Sequence, residues 1–366
     1  MPSPRRLVIG FLLGALLVVA AAPALNLWRR GGLPGSASTL FEIDFQFLDA
    51  GDVLRRVGIS TLPRQVIVGK AGWLFLGDQY AQTISVKRRA ANAADRDAAQ
   101  RIAAAARAWQ RWLETRGVRN YWVLICADKD SIFPDHLPDW DRLANGSAMD
   151  VMMTRADPRQ VIDSRSALRL ERGVDGLPLY TRTDSHWTAR GAWVAYRALA
   201  QASASKTPAL AWLQDTDIRI APLDLPQGDL AHLLHSADSA LDQGARVEFV
   251  YAHDAGRTQR DAVSGDPLSA GPLTMAQPLR RAVRIVSPHA LNRRRLLWLQ
   301  DSFGAALLPF MAATFDDVIQ VDRATTTPAQ WAALVASVRP DAILVSVVER
   351  NARSEWFEAL PPASAQ

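Results

Sequence analysis

At 366 residues and 49% hydrophobic, the chain can bury one large core, or one large and one small, and it has no Pro/Gly excess or internal repeat that would mark a linker or solenoid protein. Its net charge of +5 is spread over many arginines. No aromatic–basic interleaving accompanies it, so nucleic acid is not an expected partner. A single cysteine, Cys126, excludes an intramolecular disulfide.

Residues 1–30 read as a targeting segment. Arg5-Arg6 precedes an apolar run from Leu7 to Leu25, and Trp28 and Arg29-Arg30 follow. That is about the twenty residues a bilayer-spanning helix needs. We read an uncleaved signal-anchor with the remainder exported; small residues around Ala20–Ala24 leave a cleaved signal peptide as the alternative. Residues 31–60, beginning GGLPGSAS, form a linker and lead-in.

Gln65 to Gly77 (QVIVGKAGWLFLG) predicts a β-hairpin turning at Gly69–Gly72; the glycine spacing is not that of a phosphate-binding loop. Ala91 to Arg116 carries Ile102, Ala105, Trp109, Trp112 and Leu113 on one helical face, with Gly117 as a C-cap. Tyr121–Ile125 follows as a buried strand, and Asp128-Lys129-Asp130 stands at its exit. This is an α/β layout, in which ligands gather at strand carboxyl ends. Val161–Asp163 predicts a short strand, and a helix through Leu168 and Leu170 comes next. Thr188 caps a helix bearing Trp193, Val194, Tyr196 and Leu199, which puts Asp184-Ser185-His186-Trp187 in the loop ahead of it. Residues 203–282 have a weak pattern and are expected to form an insertion or small subdomain. Alternation then resumes: strand Leu296–Gln300, a break at Asp301-Ser302-Phe303-Gly304, helix to Thr314, strand Val318–Val321, helix Pro328–Val338 and strand Ala342–Val348. Glu349-Arg350-Asn351 closes that last strand.

A serine on a strand-to-helix turn is where hydrolases and acyltransferases place a nucleophile, but Asp301 and Ser302 are also ordinary helix caps. A serine hydroxyl needs a base, and the base needs an acceptor that fixes its tautomer. His186 and Asp184 are the candidates for these roles, although 116 positions separate His186 from Ser302. Asp-x-His is also a plausible pair of metal ligands, and His232 and His235 lie three apart; no further ligand pattern accompanies them. Structural roles for all three residues stay open at this level.

Asp184-Ser185-His186-Trp187 with Gly191, Asp301-Ser302-Phe303-Gly304, Val66–Phe75 and Asp128–Pro134, in that set, resemble the alginate O-acetyltransferase group. These are SGNH-hydrolase-like periplasmic proteins that acetylate exopolysaccharides. The resemblance spans about Gln65 to Arg350. It implies a flavodoxin-type three-layer α/β sandwich over residues 61–355, with a tail at 356–366 and the Asp-x-His pair preceding the serine, the reverse of the usual SGNH order. It carries the catalytic triad onto Asp184, His186 and Ser302. No metal or cofactor is implied. The implied partners are an exopolysaccharide acceptor and a membrane-bound O-acyltransferase supplying acetyl groups, with the N-terminal helix holding the domain on the periplasmic side of the inner membrane. Gln300 departs from the group's pattern, which has a small residue there. A polysaccharide acetylesterase is the alternative within this chemistry, and a non-catalytic polysaccharide-binding scaffold the alternative outside it.

Overall fold

The computed structural model describes residues 54–204, 210–235, 241–268, 273 and 282–363, together with Leu16, Ala20, Pro23, Ala24 and Leu27. Most of the expected signal-anchor and linker therefore lies outside the described residues. Among those described, no helix is long and apolar enough to cross a membrane. The chain divides into residues 1–53 and 54–366; the second unit holds every site residue.

Its strands are β1 (Val66–Val68), β2 (Leu74–Leu76), β3 (Asn120–Cys126), β4 (Val161–Asp163), β5 (Ile218–Leu225), β6 (Asp242–Phe249), β7 (Thr258–Asp261), β8 (Val283–Val286), β9 (Asn292–Gln300), β10 (Phe315–Asp322) and β11 (Ala342–Val348). The helices are α1 (Thr83–Lys87), α2 (Ala93–Glu114), α3 (Lys129–Ile132), α4 (Ala148–Arg155), α5 (Ser164–Leu170), α6 (Ala189–Ala204), α7 (Asp229–Leu233), α8 (Gly304–Thr314) and α9 (Pro328–Val338). Among the described residues, seven strands form one mixed sheet in the order β4-β3-β11-β9-β10-β8-β7. The first five are parallel, and β8 and β7 add on antiparallel.

Both faces of this sheet are covered, which is why its central strands read as continuous apolar runs rather than alternating ones. From β3, Trp122 and Leu124 join Trp193, Tyr196 and Phe310 of α6 and α8 on one side. Tyr121, Val123 and Ile125 join Trp109, Leu113 and Trp331 of α2 and α9 on the other. The expected hairpin is present as β1 paired antiparallel with β2. Gly117 terminates α2 with φ of +83°, a conformation that costs glycine nothing.

Two segments behave differently from their weak patterns. The described residues of 203–282 do not all stand apart. β7 extends the main sheet through β8, β5 and β6 pair antiparallel in a two-stranded sheet of their own, and α7 reaches the loop before α6. Residues 356–359 are not a free tail: Trp356 stacks on Trp331 at 5.4 Å, and Trp109 Nε1 donates to the Ala359 carbonyl at 2.8 Å. Short, irregular pairing of this kind has no periodicity for a sequence pattern to reveal.

The site's location follows from topology. From β9 the chain passes through α8 to β10 on one side, then through α9 to β11 on the other. The carboxyl end of β9 is therefore a switch point, where the crossing connections leave a crevice. Ser302 lies there.

Candidate active site

Ser302 is placed by the backbone. Asp301 fixes the turn after β9: Oδ1 accepts from the Phe303 N–H at 3.1 Å, and Oδ2 accepts from the Val348 N–H of β11 at 2.7 Å. The Gly304 N–H donates to the Asp301 carbonyl at 2.9 Å. Burial pushes the Asp301 carboxyl above its usual range, and these N–H donors only partly offset it. Asp301 thus organises the turn. Ser302 is not a cap: no side chain caps α8, and the serine hydroxyl bonds elsewhere.

The Gln300 departure is accommodated by Gly304. Gln300 is fully buried and donates from Nε2 to Gln320 Oε1 at 3.1 Å. A Cβ on Gly304 would lie 1.8 Å from Gln300 Oε1. The bulk that the sequence adds before Asp301 thus fills the space that Gly304 leaves empty.

Asp184 and His186 sit on the loop closed by an isolated bridge between Tyr180 and Trp187, just ahead of α6. Thr188 Oγ1 accepts from the Arg190 N–H at 3.1 Å and starts the helix. Asp184 Oδ1 accepts from the His186 N–H at 2.8 Å and pairs with His186 Nδ1 at 2.7 Å. His186 Nε2 lies 2.8 Å from Ser302 Oγ. The structure therefore brings together all three residues picked from the sequence, in the linear order carboxylate, imidazole, hydroxyl. That order is the one in which an imidazole can take a hydroxyl proton while a carboxylate fixes its tautomer.

Burial disfavours charge at both members of the pair, but their hydrogen bond and mutual attraction win. The Asp184 carboxyl is held down at about 2. The His186 imidazole is raised above its ordinary value by Asp184, with Asp229 adding to the effect.

Three further residues surround these; Lys129 and Arg350 lie in stretches the sequence singled out without a role, and Asp229 has no motif to announce it. Asp229, at the start of α7, accepts from the Ser185 N–H at 2.7 Å and from Ser185 Oγ at 2.5 Å; its own N–H donates to Asp184 Oδ2 at 3.2 Å. Gly228 permits this approach, because a Cβ there would lie 2.3 Å from the Asp184 Cβ. Lys129 is buried, and its Nζ donates to the carbonyls of Thr181 at 3.1 Å, Arg182 at 3.0 Å and Asp184 at 2.6 Å. Burial draws its pKa down to about 7, against nearby carboxylates, while three carbonyl acceptors match the three donors of an ammonium. Arg350 pairs through Nη1 with Asp128, which also accepts from the Arg350 N–H at 3.0 Å. Asp128 in turn takes Lys87 at 3.0 Å. The visible signs of this network were a lysine between two aspartates at one buried strand's exit and Glu349-Arg350 at another's.

The cleft above Ser302 has a volume of about 210 Å³. Asp184 and His186 line one wall, and Trp187, Leu225, Pro226 and Ala306 give it apolar surface. Asp184, His186 and Asp229 also offer ligand atoms within 4.8 Å of one another, although both carboxylates already accept N–H donors. His232 and His235 are exposed and join no such group among the described residues.

Residues 66–268 match the family described as SGNH hydrolase-like domain, acetyltransferase AlgX. The matched segment carries Asp184 and His186 and ends before Ser302. Among curated proteins none matches. The chain is similar in structure to Bacillus cereus PatB1, with a TM-score of 0.57 and 14% identity over 80% of this chain and 98% of that one. For PatB1 with a sulfonyl adduct the values are 0.60 and 12%, over 81% and 97%. A DHHW family protein from Eubacterium siraeum gives 0.56 and 14%, over 83% and 98%. At such identities the likeness is one of fold.

Proposed function

This chain belongs to the SGNH hydrolase-like acetyltransferase family of AlgX, and from that premise we propose that it is an O-acetyltransferase acting on hydroxyls of a bacterial exopolysaccharide through an acyl-enzyme on Ser302. The observation that carries this reading is the unbroken hydrogen-bonded line from Asp184 through His186 to Ser302 Oγ, at 2.7 and 2.8 Å.

In the first half-reaction His186 Nε2 takes the Ser302 proton as Oγ bonds to the carbonyl carbon of an activated acetyl ester or thioester. The carbonyl π pair moves onto oxygen, then returns as the bond to the leaving group breaks, and His186 protonates that group. In the second half-reaction a sugar hydroxyl gives its proton to His186 and attacks the acetyl-serine. Collapse frees Ser302, which recovers the proton. Asp184 keeps Nδ1 protonated throughout and stabilises the imidazolium. The apolar side of the cleft suits a short acyl group, and no metal or cofactor takes part in these steps.

The apolar run Leu7–Leu25 supports a periplasmic placement anchored in the inner membrane. An acetyl group originating in the cytoplasm then has to cross that membrane, which is the role of a membrane-bound O-acyltransferase partner.

The test uses the full chain in detergent with p-nitrophenyl acetate, with and without mannuronate or cello-oligosaccharides, beside Ser302→Ala. Acetylated sugar that the variant fails to make is the expected result. Ser302-dependent acetate release with no acceptor acetylated favours a polysaccharide acetylesterase. Turnover independent of Ser302 overturns the reading.

A further inference from the structure

An acyl transfer through Ser302 develops negative charge on the acyl oxygen, and that charge needs at least two well-placed donors. The turn supplies few. The Phe303 N–H is taken by Asp301 Oδ1, the Gly304 N–H by the Asp301 carbonyl and the Ala305 N–H by the Ser302 carbonyl. Only the Ser302 N–H is left without an acceptor on this turn. The turn itself supplies no second donor.

Lys129 spends its donors on three carbonyls. Arg323 packs over Trp356 and Phe357, and its Nε is sealed from solvent. Arg350 is different. It follows β11, the strand beside β9, and Val348 two residues earlier is bonded to Asp301, the residue before the serine. Its guanidinium lies 5.8 Å from the centre of the Phe303 ring, which is itself 5.1 Å from the His186 ring. Its charge acts on His186, opposing protonation there.

Asp128 holds Nη1 and the backbone N–H, while Nε and Nη2 make no hydrogen bond and are not sealed from solvent. A fork gripped on one edge by a buried carboxylate presents its other edge in a fixed direction, as a lysine in the same place would not.

We propose that Arg350, with the Ser302 N–H, forms the oxyanion site of this enzyme. Asp128 orients the guanidinium, and Arg350 donates to the acyl oxygen as the tetrahedral intermediate forms. The assignment rests on Ser302 being the nucleophile, and it holds equally for a transferase and for an esterase.

The test is covalent trapping of the full chain with ethyl p-nitrophenyl methylphosphonate. Ser302 Oγ bonds to phosphorus, p-nitrophenolate leaves, the serine proton passes to His186, and the phosphonyl oxygen occupies the oxyanion position. Nitrophenolate release gives the rate, intact mass the stoichiometry, and p-nitrophenyl acetate turnover runs alongside.

Arg350→Met is expected to slow trapping by about 100-fold, the scale for one lost oxyanion donor. Arg350→Lys, which keeps a cation for Asp128 and preserves folding by thermal melt, should also be slow. Asn351→Ala, one residue along the same turn, serves as the neighbouring comparison. Trapping of both Arg350 variants at about the wild-type rate, or a loss confined to Asn351→Ala, overturns the assignment while Ser302-dependent acetate turnover keeps the functional reading standing. No trapping of wild type at Ser302, with no Ser302-dependent turnover, overturns both.

Discussion

Ser302 and the Asp184–His186 pair meet across one cleft but are held there by different means. On the serine side, a strand buried on both faces runs into a turn closed by Asp301, whose carboxylate is tied to the neighbouring strand. Everything needed is local or belongs to the sheet. On the histidine side, a loop with little regular structure is pinned from two distant parts of the chain: Lys129 after β3, and Asp229 at the start of α7, for which Gly228 makes room. Ser302 inherits its position from the fold, whereas His186 depends on a few buried polar contacts. Such contacts are costly to break one partner at a time.

That contrast orders the effects expected of substitution. Asp184→Asn should lower kcat for acetyl-ester turnover by about 10⁴-fold, because the amide favours the wrong imidazole tautomer. The same variant sharpens the pH profile. The base works only when neutral, and Asp184 raises the His186 pKa above the ordinary value. Wild-type kcat/KM should therefore rise with pH through a midpoint above about 6.5. In the variant that midpoint should move to lower pH; a midpoint that stays in place would break the assignment of His186 as the base.

Lys129→Met should cost about 100-fold in kcat, since it frees the loop that aims the imidazole. It should also destabilise the protein by roughly 3 kcal/mol in urea melts, because three carbonyls lose a charged donor. An unchanged kcat would show that the loop needs no clamp.

Asp229→Ala should be milder, about tenfold in kcat, since Asp184 keeps both bonds to His186.

The smallest catalytic effect is expected on the serine side. Gly304→Ala drives a methyl into Gln300 and should lower stability by about 1–3 kcal/mol. Gln300→Ala in the same chain should recover much of that loss. If Gly304→Ala abolished activity without lowering stability, the turn would be less secure than its hydrogen bonds imply.

Legibility in the sequence followed the same division. The β9–Ser302–α8 junction was readable because a buried parallel strand is a continuous apolar run and the break after it is sharp. The helix capped by Thr188 was readable for the same reason, and it delimited the loop holding Asp184 and His186. Residues 203–282 were not. Their strands are half-exposed, and the work of Asp229 is a contact with Ser185, 44 positions away. Lys129 stood out as a charge at the end of an apolar strand and as part of Asp128–Pro134, and neither sign gave its partners.

By itself, the sequence determined the alternation of strands and helices, the turn that lifts Ser302 and the loop that holds Asp184 and His186, because periodicity and capping are properties of neighbouring residues. Only the tertiary structure decided that 116 positions close to a 2.8 Å contact, that Lys129 and Asp229 secure the loop, and that Gly304 gives Gln300 its space. Side chains far apart in the chain acquire partners only when the sheet order and its crossovers bring them to the same strand ends, and no local pattern records that order.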